Sequence, residues 1–206
     1  AKAKINDPGN SLLWHMSLRR LDAETLRDSL LAVSGKLNAS QGGPAIALEM
    51  QPDGVQVVSS KEPADARWRR SIYLTARRTY PVSFLGVFDY PIIDTNCTQR
   101  VPSATPLQSL TMMNDRFVWE AATNVATRVA ALAGEGSPVR AKIEAAYMVT
   151  LSRKPSAVEV QAAESYLEEQ HAIYARANEQ PSQAARKAFA NFAQMLLSSN
   201  EFLYVD

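Results

Sequence analysis

Proline and alanine divide this chain at about residue 102. Six of the eleven prolines fall between Pro44 and Pro102, whereas 21 alanines lie between Ser103 and the end, and no glycine follows Gly136. Proline lacks an N–H and clashes with the preceding helical turn, while alanine is the best helix former. The second half is therefore predicted to be helical, and the first half to be a mixture of short elements and turns.

Apolar spacing sharpens this division. In the second half, Val118, Ala122, Val125, Val129 and Leu132 recur at alternating steps of four and three, placing all five on one helical stripe that Gly134 ends. Ser137 and Pro138 open a second helix striped by Ile143, Ala146, Tyr147 and Leu151. Ser156-Ala157-Val158-Glu159 has the form of a capping box, followed by Val160, Ala163, Leu167 and Tyr174. The last helix follows Pro181 and Ser182, with Ala185, Phe189, Phe192 and Leu196 on one face and Asn200 near its end. Amphipathic helices of this kind must bury their stripes against one another or a partner.

The first half reads as one helix from Ala23 to Ser34, capped by Asp22 and stopped by Gly35, then a hairpin of Ala45–Met50 and Val55–Ser59 around Pro52-Asp53-Gly54. Ser71–Ala76 is rich in β-prone residues and reads as a third strand or a short helix. Pro81 starts a helix of about two turns running to Phe88. The fold class is thus α+β, predominantly α-helical, a C-terminal helical bundle with a small hairpin or short sheet in the first half. Residues 1–12 are polar with Pro8 and Gly9 and read as a linker or artificial segment. Residues 13–206 form a single domain, with a Pro-rich part over 13–102 and a helical part over 103–206.

Composition excludes several classes. The 22 basic and 21 acidic residues nearly cancel, 46% of residues are hydrophobic, and a single cysteine, Cys97, forms no internal disulfide. No apolar run approaches the 18 or so residues of a membrane span, and the first ten lack the apolar core of a secretory signal. Charge is nevertheless uneven: Arg67, Arg69, Arg70, Arg77 and Arg78 form a run without an acid inside it, while residues 155–180 hold five Glu and one Arg. Nucleic acid is a poor partner for this run, because the overall pI of about 8.1 is low for a dedicated binder and no recognition motif accompanies it.

Catalytic signatures are missing. His15, His171 and Cys97 are widely separated, without the spacing of a zinc site or haem attachment, so no metal or cofactor is expected in this chain. His171, with Glu168 three residues before it, reads as a half-buried helical histidine beside a carboxylate. No nucleophile motif or phosphate loop occurs. Paired carboxylates brought together by folding would leave no spacing in sequence, so Asp89, Asp94, Asp115 and Glu120 are the acids to inspect, Asp89 and Asp115 foremost. Thr105-Pro106 opens a helix with Gln108 in its first turn, and with Arg70, Arg77 and Arg100 this end could receive an anion. Asn114 completes the candidate ligand-binding set of Arg70, Arg77, Arg100, Thr105, Gln108 and Asn114.

Four strings carry a resemblance: RRLDAETLRDSLLAVSGKLN followed by GGP, RRSIYLTARRTYPVSFLGVFDYP, QRVPSATPLQSLTMMNDRFVWEAA, and the terminal MLLSSNEFLYVD. From about Leu13 to Asp206 they resemble, in order, the planctomycete-specific domain one family, a domain of unknown function at the C-terminal end of large exported proteins. Its fingerprint falls here on Arg19, Arg20, Asp22, Arg27, Asp28, Gly42, Gly43, Pro44, Arg70, Arg77, Phe88 and Asp89, and then on Arg100, Thr105, Pro106, Gln108, Asn114, Phe117, Asn200, Glu201 and Phe202. Three places depart from it. The chain has Ser103-Ala104-Thr105-Pro106 for Thr-Thr-Thr-Pro, Gln108-Ser109-Leu110 for Gln-Ala-Leu, and Ser17-Leu18 for an Asn-Arg pair. A role resting on those hydroxyls or that asparagine is not carried over.

The resemblance implies a periplasmic or cell-surface setting, preceding modules of the same protein as partners, and haem, if any, in such a module. The expected function is a non-catalytic interaction or ligand-binding module, with anionic polysaccharide as a candidate ligand. The alternative is an enzyme acting on complex or sulfated polysaccharide through Asp89 or Asp115.

Overall fold

The computed structural model describes residues 5–77, 81–91, 100–134, 136–177 and 179–205. Its fold is α+β and predominantly helical. Helices α1 (Ala23–Val33), α2 (Ser83–Val87), α3 (Pro106–Asn114), α4 (Arg116–Ala133), α5 (Val139–Leu151), α6 (Ala157–Arg176), α7 (Pro181–Leu197) and α8 (Asn200–Leu203) follow in chain order. The strands are β1 (Arg19–Arg20), β2 (Leu48–Met50), β3 (Gln56–Val58) and β4 (Tyr204–Val205), paired antiparallel as β1 with β4 and β2 with β3.

Helices α4 to α7 form the bundle, α4 packing on α5 and α7, and α6 on α5 and α7. Val118, Val125 and Val129 of α4, Ile143 of α5 and Phe192 and Leu197 of α7 are fully enclosed in it. Ala122, Ala146, Ala163, Ala188 and Ala193 lie in the same core, where small side chains let helix axes approach closely. That core continues without a break into the first half through Leu26 and Leu30 of α1, Ile46, Leu74, Phe84 and Phe88.

The bundle helices form as their spacing predicts, with local corrections. Leu132 in the last turn of α4 is 62% exposed, and Ala185 of α7 is exposed while its neighbour Ala184 is buried. The cap of α5 is Pro138, while the Ser137 hydroxyl donates back to the Ala133 carbonyl. The Ser156–Glu159 capping box is present, with Ser156 N donating to Glu159 Oε2 at 2.7 Å. Helix α7 ends at Leu197, and Asn200 instead opens α8, capped by Ser199.

In the first half, α1 and the hairpin lie where expected. Ser71–Tyr73 is a single turn of 3-10 helix, the short-helix alternative, after which Leu74 makes an isolated parallel bridge to Ile46 in place of a third strand. Helix α2 spans five residues behind a cap at Val82, leaving Pro81 outside it. Residues 7–15 hold a turn of their own: the Asp7 carboxylate accepts from Ser11 N and Leu12 N, and Trp14 Nε1 donates to the Asp7 carbonyl.

Pairing of β1 with β4 ties Arg20 to the C-terminal end, with Leu21 N donating to the Leu203 carbonyl at 2.9 Å. That end is clamped in turn by Arg153, which grips Glu159 at 2.7 and 2.9 Å and Glu201 at 2.5 and 2.7 Å. The arginine holds Glu159 down to about 2 and also lowers Glu201.

Candidate functional site

The Arg20 guanidinium is the hub of a polar seam between the two halves. Its side chain is 5% exposed. It donates to the Asp89 carboxylate, to the Ser103 carbonyl, to Gln108 Oε1 at 2.6 Å and to the Phe88 carbonyl at 3.2 Å. Asp89, at the end of α2, takes a left-handed φ of 61°, a conformation that aspartate tolerates better than most residues. This turn brings its carboxylate to Ser103, which donates from N at 2.7 Å and from Oγ at 2.8 Å. Gln108 Nε2 closes the network, donating to the Val87 carbonyl at 3.1 Å, Ser103 Oγ at 3.1 Å and Asp89 Oδ2 at 3.4 Å. Partial burial works against the Asp89 charge, but Ser103 and Arg20 outweigh it and hold the carboxyl below its ordinary value.

A second seam centres on Arg27, buried on α1. It donates to the carbonyls of Arg67 at 2.7 Å and Arg69 at 3.0 Å and to Ser71 Oγ at 3.2 Å, with its guanidinium over the Phe117 ring at 5.5 Å. Burial lowers its pKa to about 10 despite neighbouring Asp28, so it remains charged at neutral pH. Asp28 accepts from Ser71 N and Oγ, both at 2.7 Å.

Two clefts open beside these seams. The first, about 420 Å³, is lined by Arg19, Arg20, Asp22, Phe88, Asp89, Arg100 and Pro102, among others. The second, about 560 Å³, is lined by Glu24, Asp28, Arg70, Ile72, Leu74 and Tyr90, among others. Arg100 of the first bonds Glu24 of the second through both terminal nitrogens, at 2.7 and 2.8 Å, so the linings of the two clefts are joined by this pair.

The candidate residues are distributed unevenly. Asp89 and Arg100 meet in the first cleft, Arg70 lies in the second, and Gln108 is buried behind the first. Thr105 is the exposed cap of α3, its N 3.4 Å from Gln108 Oε1. Arg77 is exposed and lines neither cleft. Asn114 sits at the far end of α3, donating to the Leu110 carbonyl at 2.9 Å. Asp115 caps α4, accepting from Phe117 N at 2.7 Å, and Glu120 pairs with Arg67. Asp94, Cys97 and Arg78 lie outside the described residues. Arg67 and Arg70 of the basic run pair with Glu120 and Asp28, and Arg69 donates to the Ser40 and Gly42 carbonyls. His171 is half-buried on α6 without an ion pair among the described residues.

Reading for periodic motifs misses Arg20, Arg27 and Ser103 as network centres, because a buried arginine joining distant segments has no local spacing. The signal that finds the two arginines is the resemblance string around α1.

The family model for proteins of unknown function named PSD1 (DUF1553) matches residues 1–167. The chain belongs to the PSD1 family. This is the planctomycete-associated family that the sequence resembles. The PSD1 match takes in β1, both seams, both clefts and the bundle up to Leu167 of α6. Searches of curated proteins and of solved structures gave no match. Among the described residues of this PSD1 domain, no group of three His, Cys, Asp or Glu could hold a metal ion, and no helix is long and apolar enough to cross a membrane.

Proposed function

We propose that this PSD1 domain is a non-catalytic interaction module of a larger exported protein, with the paired clefts as its ligand-binding face. The observation carrying this reading is the state of Asp89. It is the candidate acid that lines a cleft, and both its oxygens are occupied by Arg20, Ser103 and Gln108. A general acid needs a raised pKa and a proton to give, whereas the Asp89 carboxyl is held below its ordinary value, and a base or nucleophile needs an open oxygen, whereas both of its oxygens are engaged. Asp115, the other candidate, is engaged as a helix cap. These arrangements support architecture and binding over hydrolysis.

The periplasmic or cell-surface setting, the preceding modules as partners and the placement of any haem in such a module belong to this reading through the family resemblance. The test is incubation of the protein with neutral, uronic and sulfated polysaccharides while following new reducing ends. No turnover is expected. Reproducible hydrolysis that disappears in a folded Asp89→Asn or Asp115→Asn variant would overturn the reading in favour of the polysaccharide-cleaving alternative.

A further inference from the structure

The ligand class follows from how charge is arranged around the two clefts, an inference that rests on the binding role proposed above. The arginines bordering them face carboxylates. Arg20 pairs with Asp89, Arg19 with Asp22 at 3.6 Å, Arg100 with Glu24 at 2.7 Å and Asp22 at 3.8 Å, and Arg70 with Asp28 at 3.4 Å. A sulfate, phosphate or carboxylate that takes an exposed guanidinium edge here lies beside the paired acid, so its attraction to the arginine is offset by repulsion from Asp22, Glu24 or Asp28.

A hydroxyl-rich ligand meets no such opposition. A hydroxyl both donates and accepts, so neighbouring hydroxyls can accept from a guanidinium edge and donate to a carboxylate oxygen while leaving the pair intact. Arg19, Arg70 and Arg100 keep side chains 69%, 57% and 38% exposed, and Asp22 is 37% exposed, so both polarities are within reach. Ile72 and Tyr90 add apolar surface for C–H faces. Each cleft falls in the range of about 300–1,000 Å³ usual for small-ligand sites. The Arg100–Glu24 pair joins the lining of one cleft to that of the other, so a chain of linked units can run over it from the first to the second.

We infer that the two clefts form one groove for a neutral oligosaccharide, not for a polyanion. The inference is tested by calorimetric titration of the protein with neutral hexasaccharides of glucose, xylose and mannose, and with sulfated and uronic hexasaccharides, at low and high salt. At least one neutral chain is expected to bind with an affinity that changes less than about twofold with salt, since no counterions are exchanged. Glu24→Gln and Arg70→Ala, both at the cleft surface, are each expected to weaken it by about tenfold, the scale of losing a hydrogen bond to a charged group, with an unchanged far-UV spectrum. Steeply salt-dependent binding of the charged chains alone, neutral binding unaffected by both variants, or no binding by any chain would each overturn the inference. Failure to bind leaves the non-catalytic reading to the reducing-end assay, which decides it separately.

Discussion

Replacing Asp89 with asparagine removes the charge opposite buried Arg20 while keeping a side chain that tolerates the left-handed backbone at φ 61°. Breaking a buried ion pair from one side costs about 3–5 kcal/mol, because the remaining charge is left uncompensated. The Asp89 side chain is 28% exposed, so water screens part of that loss. Arg20 also keeps its bonds to the Ser103 and Phe88 carbonyls and to Gln108. These discounts place Asp89→Asn at about 2–3 kcal/mol. Arg20→Met strands the Ser103 and Phe88 carbonyls and Gln108 Oε1 at about 1 kcal/mol each and also unpairs the partly exposed Asp89 carboxylate, for a total of about 3–4 kcal/mol. Since each single change harms the partner left behind, the double variant should cost less than the two singles summed, by about 1–2 kcal/mol. The folded-state pKa of Asp89 is depressed, so its stabilisation is fully present above the unfolded value near 3.9 and is lost as pH falls through the lower folded value. Urea unfolding followed by circular dichroism at pH 7, repeated at successively lower pH, reads both effects. A cost below about 0.5 kcal/mol at pH 7, additivity in the double variant, or a difference that persists undiminished in acid would refute the reasoning.

Other perturbations follow from the same contacts. Arg27→Lys should lower stability by about 2–3 kcal/mol in urea unfolding, because an ammonium cannot span the Arg67 and Arg69 carbonyls and Ser71 as a planar fork does. Glu159→Ala should cost about 1–2 kcal/mol by losing both a capping acceptor and the Arg153 clamp, while Glu159→Gln keeps the cap and should cost less than about 1. Glu159 titrates at about 2, so its contribution is complete above the unfolded value near 4.3 and fades between there and about pH 2, which thermal melts at stepped pH should show as a narrowing gap to Glu159→Gln. Gly35→Ala should destabilise by about 1–2 kcal/mol in the same melts, since φ is 72° and Arg128 Cδ stands 3.4 Å from the new methyl.

The bundle is legible in the sequence because each of its helices carries its own stripe and stop signals. Leu132 and Ala185 mislead because periodicity fixes a stripe only to within part of a turn. Of the two alternatives for Ser71–Ala76 the short helix is the one formed: β-prone Ile72 and Tyr73 lie in a helical turn whose first residue is held by Asp28, which accepts from Ser71 N and Oγ. Of the candidate site, Asp89, Arg100 and Gln108 are recoverable through the resemblance; Asp89 and Gln108 meet in one network, and Arg100 lines the same cleft as Asp89. What no pattern supplies is their pairing, since Arg20 lies 69 residues from Asp89 and 88 from Gln108.

The preference for arginine, 15 against 7 lysines, has an explanation in the irregular half of the fold. Short strands and single helical turns leave backbone carbonyls without ladder partners, and buried carbonyls need donors. Arginine forks supply them across long sequence distances: Arg20 to residues 88 and 103, Arg27 to 67 and 69, Arg69 to 40 and 42, and Arg128 to 32 and 33 at the end of α1. The last of these also places a cation at a helix C-terminus, where the backbone dipole favours it. A lysine offers one charged centre with no fixed fork and could not bridge two carbonyls held by different turns. The same requirement limits what the clefts can bind, because arginines engaged in holding loops and paired with Asp22, Glu24, Asp28 and Asp89 have hydrogen-bonding edges to offer but little uncompensated charge.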